Sequence, residues 1–120
     1  MTASVKTDPI MVETLSPADV AELLSTRDVD VVDVRDEHEW SAGHIAGSRV
    51  IPLDTLRTDA EAMLGTKPLL FVCARGVRSL SAAKLAERLG FAQVYNLDGG
   101  TSAWARAGLP LVAESIQSAA

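Results

Sequence analysis

The sequence is poor in several features whose absence excludes whole classes of protein. It has one cysteine in 120 residues, so it forms no internal disulfide, which favours a reducing compartment. Acidic residues outnumber basic ones by 16 to 11, which argues against binding to nucleic acid. Every apolar run is far shorter than the ~20 residues that a membrane helix requires. The N-terminus lacks a secretory signal pattern, so we expect a cytoplasmic protein that does not bind membranes.

What the sequence does contain is typical of one ordinary domain. Hydrophobic residues make up 48% of the chain and charged residues 22%. A chain of this length can bury one core but not two. We therefore expect a single domain over residues 10–112, with flexible polar tails at residues 1–9 and 113–120.

Short apolar runs alternate with helical patterns along this domain. The runs predict strands at residues 11–14, 29–34, 49–51, 69–72 and 94–97. The patterns between them predict helices at residues 17–26, 37–42, 54–64, 79–89 and 101–107. This alternation indicates an α/β fold with a mostly parallel central sheet and helices on both faces. The fourth strand is the most apolar, and we expect it at the centre of the sheet.

Cys73 follows this fourth strand directly, at the edge where ligands bind in parallel sheets. A lone cysteine is usually a small buried apolar residue, but the segment after this one favours a reactive thiol. Gly76 permits a curled loop whose N–H groups face inward, and a predicted helix begins just beyond it. Arg75 and Arg78 supply planar cations that suit oxyanions. The pattern predicts a nucleophilic thiolate beside a pocket for a small dianion.

Two reaction classes use a loop of this kind. In one, the cysteine attacks phosphorus, and in the other it attacks a sulfane sulfur and carries it as a persulfide. Four residues separate Cys73 from Arg78, one fewer than in cysteine-dependent phosphatases, and Val72 stands where those enzymes commonly have histidine. The shorter loop favours sulfur, while a small phosphatase or arsenate reductase stays open as an alternative.

Three motifs together resemble the single-domain rhodanese (thiosulfate sulfurtransferase) family. They are Asp33-Val34-Arg35-Asp36 with Gly43-His44-Ile45-Ala46-Gly47, the loop Cys73-Ala74-Arg75-Gly76-Val77-Arg78-Ser79, and Leu97-Asp98-Gly99-Gly100-Thr101-Ser102-Ala103-Trp104. The resemblance spans almost the whole chain, and three motifs in order are far more specific than any one of them. It implies a single rhodanese-like domain.

The resemblance also implies a two-step sulfur transfer. Cys73 is expected to take the outer sulfur of thiosulfate or of a persulfide, which are small anionic donors. It would pass that sulfur to cyanide, to a thiol such as glutathione, or to a protein cysteine. No metal or other cofactor is expected. The loop residues expected to bind the substrate are Arg78, Arg75, Ala74, Gly76, Val77 and Ser79.

Charged residues after the second strand are expected to support this loop rather than to react. Asp33 and Arg35 suggest an ion pair or a bracing hydrogen bond, and Glu39 is a further candidate partner for Arg35. His44 is expected to pack in a turn, because a thiolate needs no additional base. A binding or regulatory module without turnover, and a redox sensor, are the remaining alternatives.

Overall fold

Five short parallel strands form the centre of the fold in a computed structural model, which describes residues 12–113. The strands are β1 (Val12–Leu15), β2 (Asp30–Asp33), β3 (Arg49–Val50), β4 (Leu69–Val72) and β5 (Val94–Leu97). The helices are α1 (Pro17–Thr26), α2 (Glu37–Ala42), α3 (Leu53–Thr58), α4 (Ala60–Met63), α5 (Val77–Arg88) and α6 (Gly100–Arg106). The strand order β1-β5-β4-β2-β3 confirms the α/β fold with its parallel sheet, and β4 is its central strand as predicted.

Strand β4 is buried on both faces, and its alternating side chains divide between two cores. Phe71 packs in one core with Leu56 of α3 and with the small alanines of α5. Leu70 packs in the other core with Val20 of α1 and Trp104 of α6. Successive strand residues point to opposite faces, so one strand supports both layers of helices. Truncating the fully buried Phe71 to alanine would cost roughly 3–5 kcal/mol of stability.

A side-chain cap and a proline mark the start of α1. The Ser16 side chain accepts a hydrogen bond of 3.1 Å from the backbone N–H of Asp19, and Pro17 opens the helix. An N-cap of this kind satisfies one of the N–H groups that have no partner within the helix. The helix therefore begins where its sequence indicates.

Several element boundaries differ from the prediction. The helix predicted over residues 54–64 is two helices, α3 and α4, because Asp59 leaves helical geometry with φ −162° and ψ 64°. Just before it, the Thr58 hydroxyl donates to the carbonyl of Thr55, a local bond that competes with helix continuation. Helix α5 begins two residues early, at Val77, because the loop turns directly into it at Gly76.

Both ends of the chain lie beyond the part that the structure describes. Residues 1–11 and 114–120 lie outside the described residues, and these ranges include the first residue of the predicted β1 and both predicted tails except Ala113. Between residues 12 and 113, no helix has the length and apolar character needed to cross a membrane.

Candidate active site

The sheet brings the predicted site together at the carboxyl ends of β2 and β4. The backbone N–H of Val34 donates to the carbonyl of Val72 over 2.9 Å, which keeps these two strand ends side by side. Cys73 follows at once and is 1% exposed, in the same core as Phe71. Its thiol therefore lies at the base of the loop that links β4 to α5.

Backbone N–H groups of that loop converge on the cysteine sulfur. The N–H of Gly76 lies 3.1 Å from Sγ, and the N–H of Ser79, in the first turn of α5, lies 3.3 Å from it. Gly76 has φ 93°, the left-handed conformation that glycine adopts without a steric penalty. The loop thus forms the nest of amides that the sequence predicts, with Sγ at its centre.

The loop carbonyls are held outward by α6, which explains why its N–H groups face inward. The carbonyl of Cys73 accepts a hydrogen bond from the N–H of Thr101 (2.8 Å), and that of Ala74 accepts one from the N–H of Ser102 (3.0 Å). A Cβ on Gly100 would overlap the backbone of Cys73 and Ala74, so only glycine permits this approach. This role of Gly100 was not predicted from the sequence. Its signal is the pair of consecutive glycines that follows β5.

These contacts lower the pKa of the thiol. Burial by itself raises the pKa of Cys73. Hydrogen bonds from the side chain and N–H of Ser79, and from the N–H groups of Arg75 and Gly76, outweigh the burial, so the pKa lies below the ordinary cysteine value. The thiolate is the nucleophilic form. The stabilisation of this anion comes mainly from hydrogen bonds rather than from guanidinium charge.

A buried polar chain extends from the sulfur to the sheet edge. Ser79 Oγ lies 3.3 Å from Sγ, from which it accepts while Cys73 is a thiol, and it donates its own proton to Oδ1 of Asn96 in β5 over 2.5 Å. When Cys73 is a thiolate, the same hydroxyl proton is donated to Sγ instead. The Asn96 side-chain amide in turn donates to the Thr14 hydroxyl, 3.4 Å away. Asn96 is 3% exposed and orients the Ser79 hydroxyl. Asn96 was not predicted as a site residue, although an asparagine inside an apolar strand is a signal of a buried polar contact.

The two loop arginines have different surroundings. Nη2 of Arg78 lies 3.2 Å from a carboxylate oxygen of Glu39, with both side chains about two-fifths exposed. Arg75 is exposed, and its side chain has no ion-pair or hydrogen-bond partner in the described part of the chain. Glu39, a suggested partner of Arg35, therefore neutralises Arg78 instead. Ala74 is half-buried, whereas Val77 is 72% exposed at the rim of the loop.

Asp33 and Arg35 form a buried ion pair at the end of β2. Nη2 of Arg35 lies 2.8 Å from Oδ2 of Asp33 and also donates to the carbonyl of Gly43 at 2.7 Å. The pair joins the end of β2 to the end of α2. Burial lowers the pKa of Arg35, but the hydrogen bond and the charge of Asp33, with smaller contributions from Glu39 and Cys73, raise it above its ordinary value. Arg35 is thus within electrostatic range of the cysteine.

His44 packs away from the thiol. Its ring stacks on Trp40 with 3.8 Å between ring centroids, and its Nδ1 lies 2.7 Å from the Trp40 carbonyl oxygen. The residue is 2% exposed. Its contacts are those of a packed turn residue.

The comparisons with known proteins agree with this geometry. Residues 16–107 match the family model of the rhodanese-like domain. The chain belongs to the rhodanese family. It is 36% identical over 90 residues to the thiosulfate sulfurtransferase GlpE of Pseudoalteromonas translucida, an alignment that covers 75% of this chain and 86% of the relative.

Solved structures of the rhodanese family share the fold. A rhodanese-related protein from Thermoplasma volcanium superposes with a TM-score of 0.77 at 33% identity, over 85% of this chain and 99% of the other. A protein of unknown function from Rhodopseudomonas palustris, described as a possible tyrosine phosphatase, gives a TM-score of 0.75 at 35% identity, over 84% and 85% of the two chains. The descriptions of these proteins thus name a thiosulfate sulfurtransferase and, for a protein of unknown function, a possible tyrosine phosphatase.

Proposed function

We propose that this rhodanese-family protein is a sulfurtransferase that carries a sulfane sulfur as a persulfide on Cys73. The observation that carries the proposal is the nest of N–H groups from Gly76 and Ser79 around Sγ. Such a nest stabilises the negative charge of the thiolate before the sulfur is taken up and again after the sulfur has been passed on. The donor is a small sulfur anion such as thiosulfate or a persulfide.

In the first step, the Cys73 thiolate attacks the outer sulfur of thiosulfate. A new S–S bond forms at Sγ, the S–S bond of thiosulfate breaks, and its electron pair leaves with sulfite. In the second step, an acceptor attacks the outer sulfur of the persulfide and returns Cys73 to the thiolate. The electrons balance within the two S–S exchanges, so neither a metal nor another cofactor is required.

The 120 residues contain no second cysteine that could take the sulfur from Cys73, which favours a separate molecule as the acceptor. Cyanide, a low-molecular-weight thiol and a protein cysteine all have the required nucleophilicity. A reducing compartment such as the cytoplasm suits this chemistry, since the thiol must be regenerated unoxidised.

The test is mass spectrometry of the purified protein after incubation with thiosulfate, together with a steady-state assay of thiocyanate formation from thiosulfate and cyanide. We expect one added sulfur atom on Cys73 and catalytic turnover, with both lost in Cys73→Ser. If neither thiosulfate nor a persulfide donor loads Cys73, the proposal is wrong.

The same preparation tests the phosphatase alternative with an aryl phosphate substrate. The loop from Cys73 to Arg78 is one residue shorter than in cysteine-dependent phosphatases, and the Arg78 guanidinium is paired with Glu39. We therefore expect no turnover of the aryl phosphate. Turnover that depends on Cys73 would favour the phosphatase.

A further inference from the structure

Two clefts adjoin the catalytic loop, and they differ sharply in charge. The cleft on the Arg78 side is lined also by Asp36 and Asp54, and Glu39 pairs with Arg78 there. The other cleft, of about 450 Å³, is lined by Arg75, Gly99, Ser102 and Arg106, with no carboxylate among them. We call this second cleft the arginine cleft. The arginine cleft favours binding of an anion, whereas the carboxylates of the cleft beside Arg78 repel one.

The arginines of this cleft are uncompensated. Of the eight arginines in the chain, five have a side-chain partner among residues 12–113, and only Arg75, Arg88 and Arg106 have none there. Two of these three line the arginine cleft. On a chain whose net charge is −5, two free guanidinium groups in one concave site form a local site for an anion.

The cleft is built directly against the reactive loop. The N–H of Ser102 donates to the carbonyl of Ala74, which directly precedes Arg75 in the loop around the Cys73 sulfur. Arg106 lies one helical turn beyond Ser102 on the same face of α6, which adds about 6 Å along the helix axis. The Arg106 end of the cleft is therefore one helical turn farther along α6 than the contact of Ser102 with the loop.

This offset indicates which substrate the cleft takes. In thiosulfate the sulfonate is one bond, about 2 Å, from the reacting sulfur, so that anion must lie inside the loop itself. An anion that reaches Arg106 must be separated from its reacting sulfur by several bonds. A carboxylate on a peptidic thiol has this separation.

We propose that the arginine cleft binds a carboxylate of a low-molecular-weight peptidic thiol, the acceptor that takes the sulfane sulfur from Cys73. The thiolate of this acceptor attacks the outer sulfur of the persulfide after its proton has left to solvent. The bond between Sγ and that sulfur breaks, its electron pair stays on Cys73, and the acceptor leaves as a persulfide. The proposal rests on the sulfurtransferase function, and it makes Arg106 a residue that determines acceptor specificity.

The test is a single-turnover reaction of the persulfide-loaded protein with glutathione or with the uncharged thiol 2-mercaptoethanol. We expect Arg106→Gln to lower the second-order rate constant for glutathione about tenfold, since a charge-assisted hydrogen bond to the carboxylate is lost. The rate constant for 2-mercaptoethanol should stay within about twofold, and Arg106→Lys should restore most of the rate with glutathione.

The matched control is Arg88→Gln, because Arg88 is also an exposed arginine without a partner in the described chain, but on α5. It changes the net charge equally and should leave both rate constants unaltered. Equal losses with both thiols in Arg106→Gln, equal losses with glutathione in Arg88→Gln, or no loss in either variant would overturn the proposal.

A binding measurement separates this proposal from the sulfurtransferase function itself. S-methylglutathione keeps both carboxylates but cannot accept sulfur, and its affinity can be measured by NMR titration of the reduced protein. We expect weaker binding to Arg106→Gln and unchanged binding to Arg88→Gln. If Arg106→Gln binds S-methylglutathione more weakly while Cys73 takes up no sulfur, the sulfurtransferase proposal is wrong but the anion site in the arginine cleft is confirmed. If Cys73 takes up sulfur but Arg106→Gln binds and reacts like wild type, the sulfurtransferase function is confirmed and only the proposed role of the arginine cleft is wrong.

Discussion

Two buried acidic groups lie at neighbouring strand ends, and the protein stabilises their charges in opposite ways. Asp33, the last residue of β2, has a full counter-charge in Arg35 at 2.8 Å. Cys73, after β4, accepts hydrogen bonds from the backbone N–H groups of Gly76 and Ser79 and lies beside the Ser79 hydroxyl. An ion pair fixes a permanent charge and keeps it unreactive, whereas dipoles stabilise a thiolate without binding it to a cation. The thiolate thus has no fixed cation as its partner, as the proposed persulfide cycle requires.

The largest expected effect comes from breaking the ion pair. Asp33→Asn leaves the Arg35 guanidinium buried without its counter-charge, and we expect a loss of roughly 3–5 kcal/mol in the free energy of unfolding, measured in urea. Asp30→Asn is the control, because its pair with Arg49 is more exposed and should contribute less than about 1 kcal/mol. Equal losses in the two variants would contradict a special role of burial.

The next effect comes from pushing α6 away from the loop. Gly100→Ala introduces a Cβ that overlaps the Cys73 and Ala74 backbone at φ 61°. We expect a loss of about 1–3 kcal/mol from backbone strain alone, a further loss from the overlap, and a rise in the pKa of Cys73. The pH dependence of thiol alkylation reports the pKa, and urea unfolding reports the stability.

Gly90→Ala separates the backbone strain from the effect of the overlap with the loop. Gly90 has a similar left-handed φ of 99°, but a Cβ there meets nothing within 4 Å. It should show the backbone strain without any change in the alkylation profile. If both variants alter the profile equally, contact of α6 with the loop does not control the thiol.

Removing one hydrogen-bond donor should have a smaller effect that is confined to the sulfur. Ser79→Ala removes the hydroxyl near Sγ, so we expect the pKa of Cys73 to rise and its alkylation rate at neutral pH to fall about tenfold. Ser81→Ala, at an exposed position of the same helix, should leave the rate unchanged. An unaltered profile in Ser79→Ala would leave the stabilisation of the thiolate to the backbone alone.

The smallest effect is a pH dependence of stability. Because the folded-state pKa of Cys73 lies below its unfolded value, the thiolate stabilises the fold fully above the unfolded pKa of about 8.5, and this contribution disappears as pH falls through the folded pKa. Relative to Cys73→Ser, wild-type stability should therefore rise with pH over that window, by about 1.4 kcal/mol for each pH unit between the two pKa values. A flat difference in urea unfolding across this range would contradict a lowered pKa.

The predictable parts of the site are those that lie close together in the chain. Cys73, Gly76 and the start of α5 fall within one short segment, and the apolar strand before them indicates where that segment lies in the sheet. Asp33 and Arg35 are two residues apart at a strand end, where an ion pair is a natural expectation. The distant pairs could not be predicted in the same way. Glu39 and Arg78 are 39 residues apart, and the sequence suggested Arg35 rather than Arg78 as the partner of Glu39.

The sequence by itself determined the order of strands and helices, the place of the cysteine after the central strand, and the membership of a family. These properties follow from local periodicity and from motifs whose residues are neighbours in the chain. Only the tertiary structure decided that α6 turns the loop carbonyls outward, that Asn96 orients the Ser79 hydroxyl, and that Arg75 shares a cleft with Arg106. Each of these contacts joins separate elements, and their geometry depends on how the helices pack on the sheet, which no local pattern records.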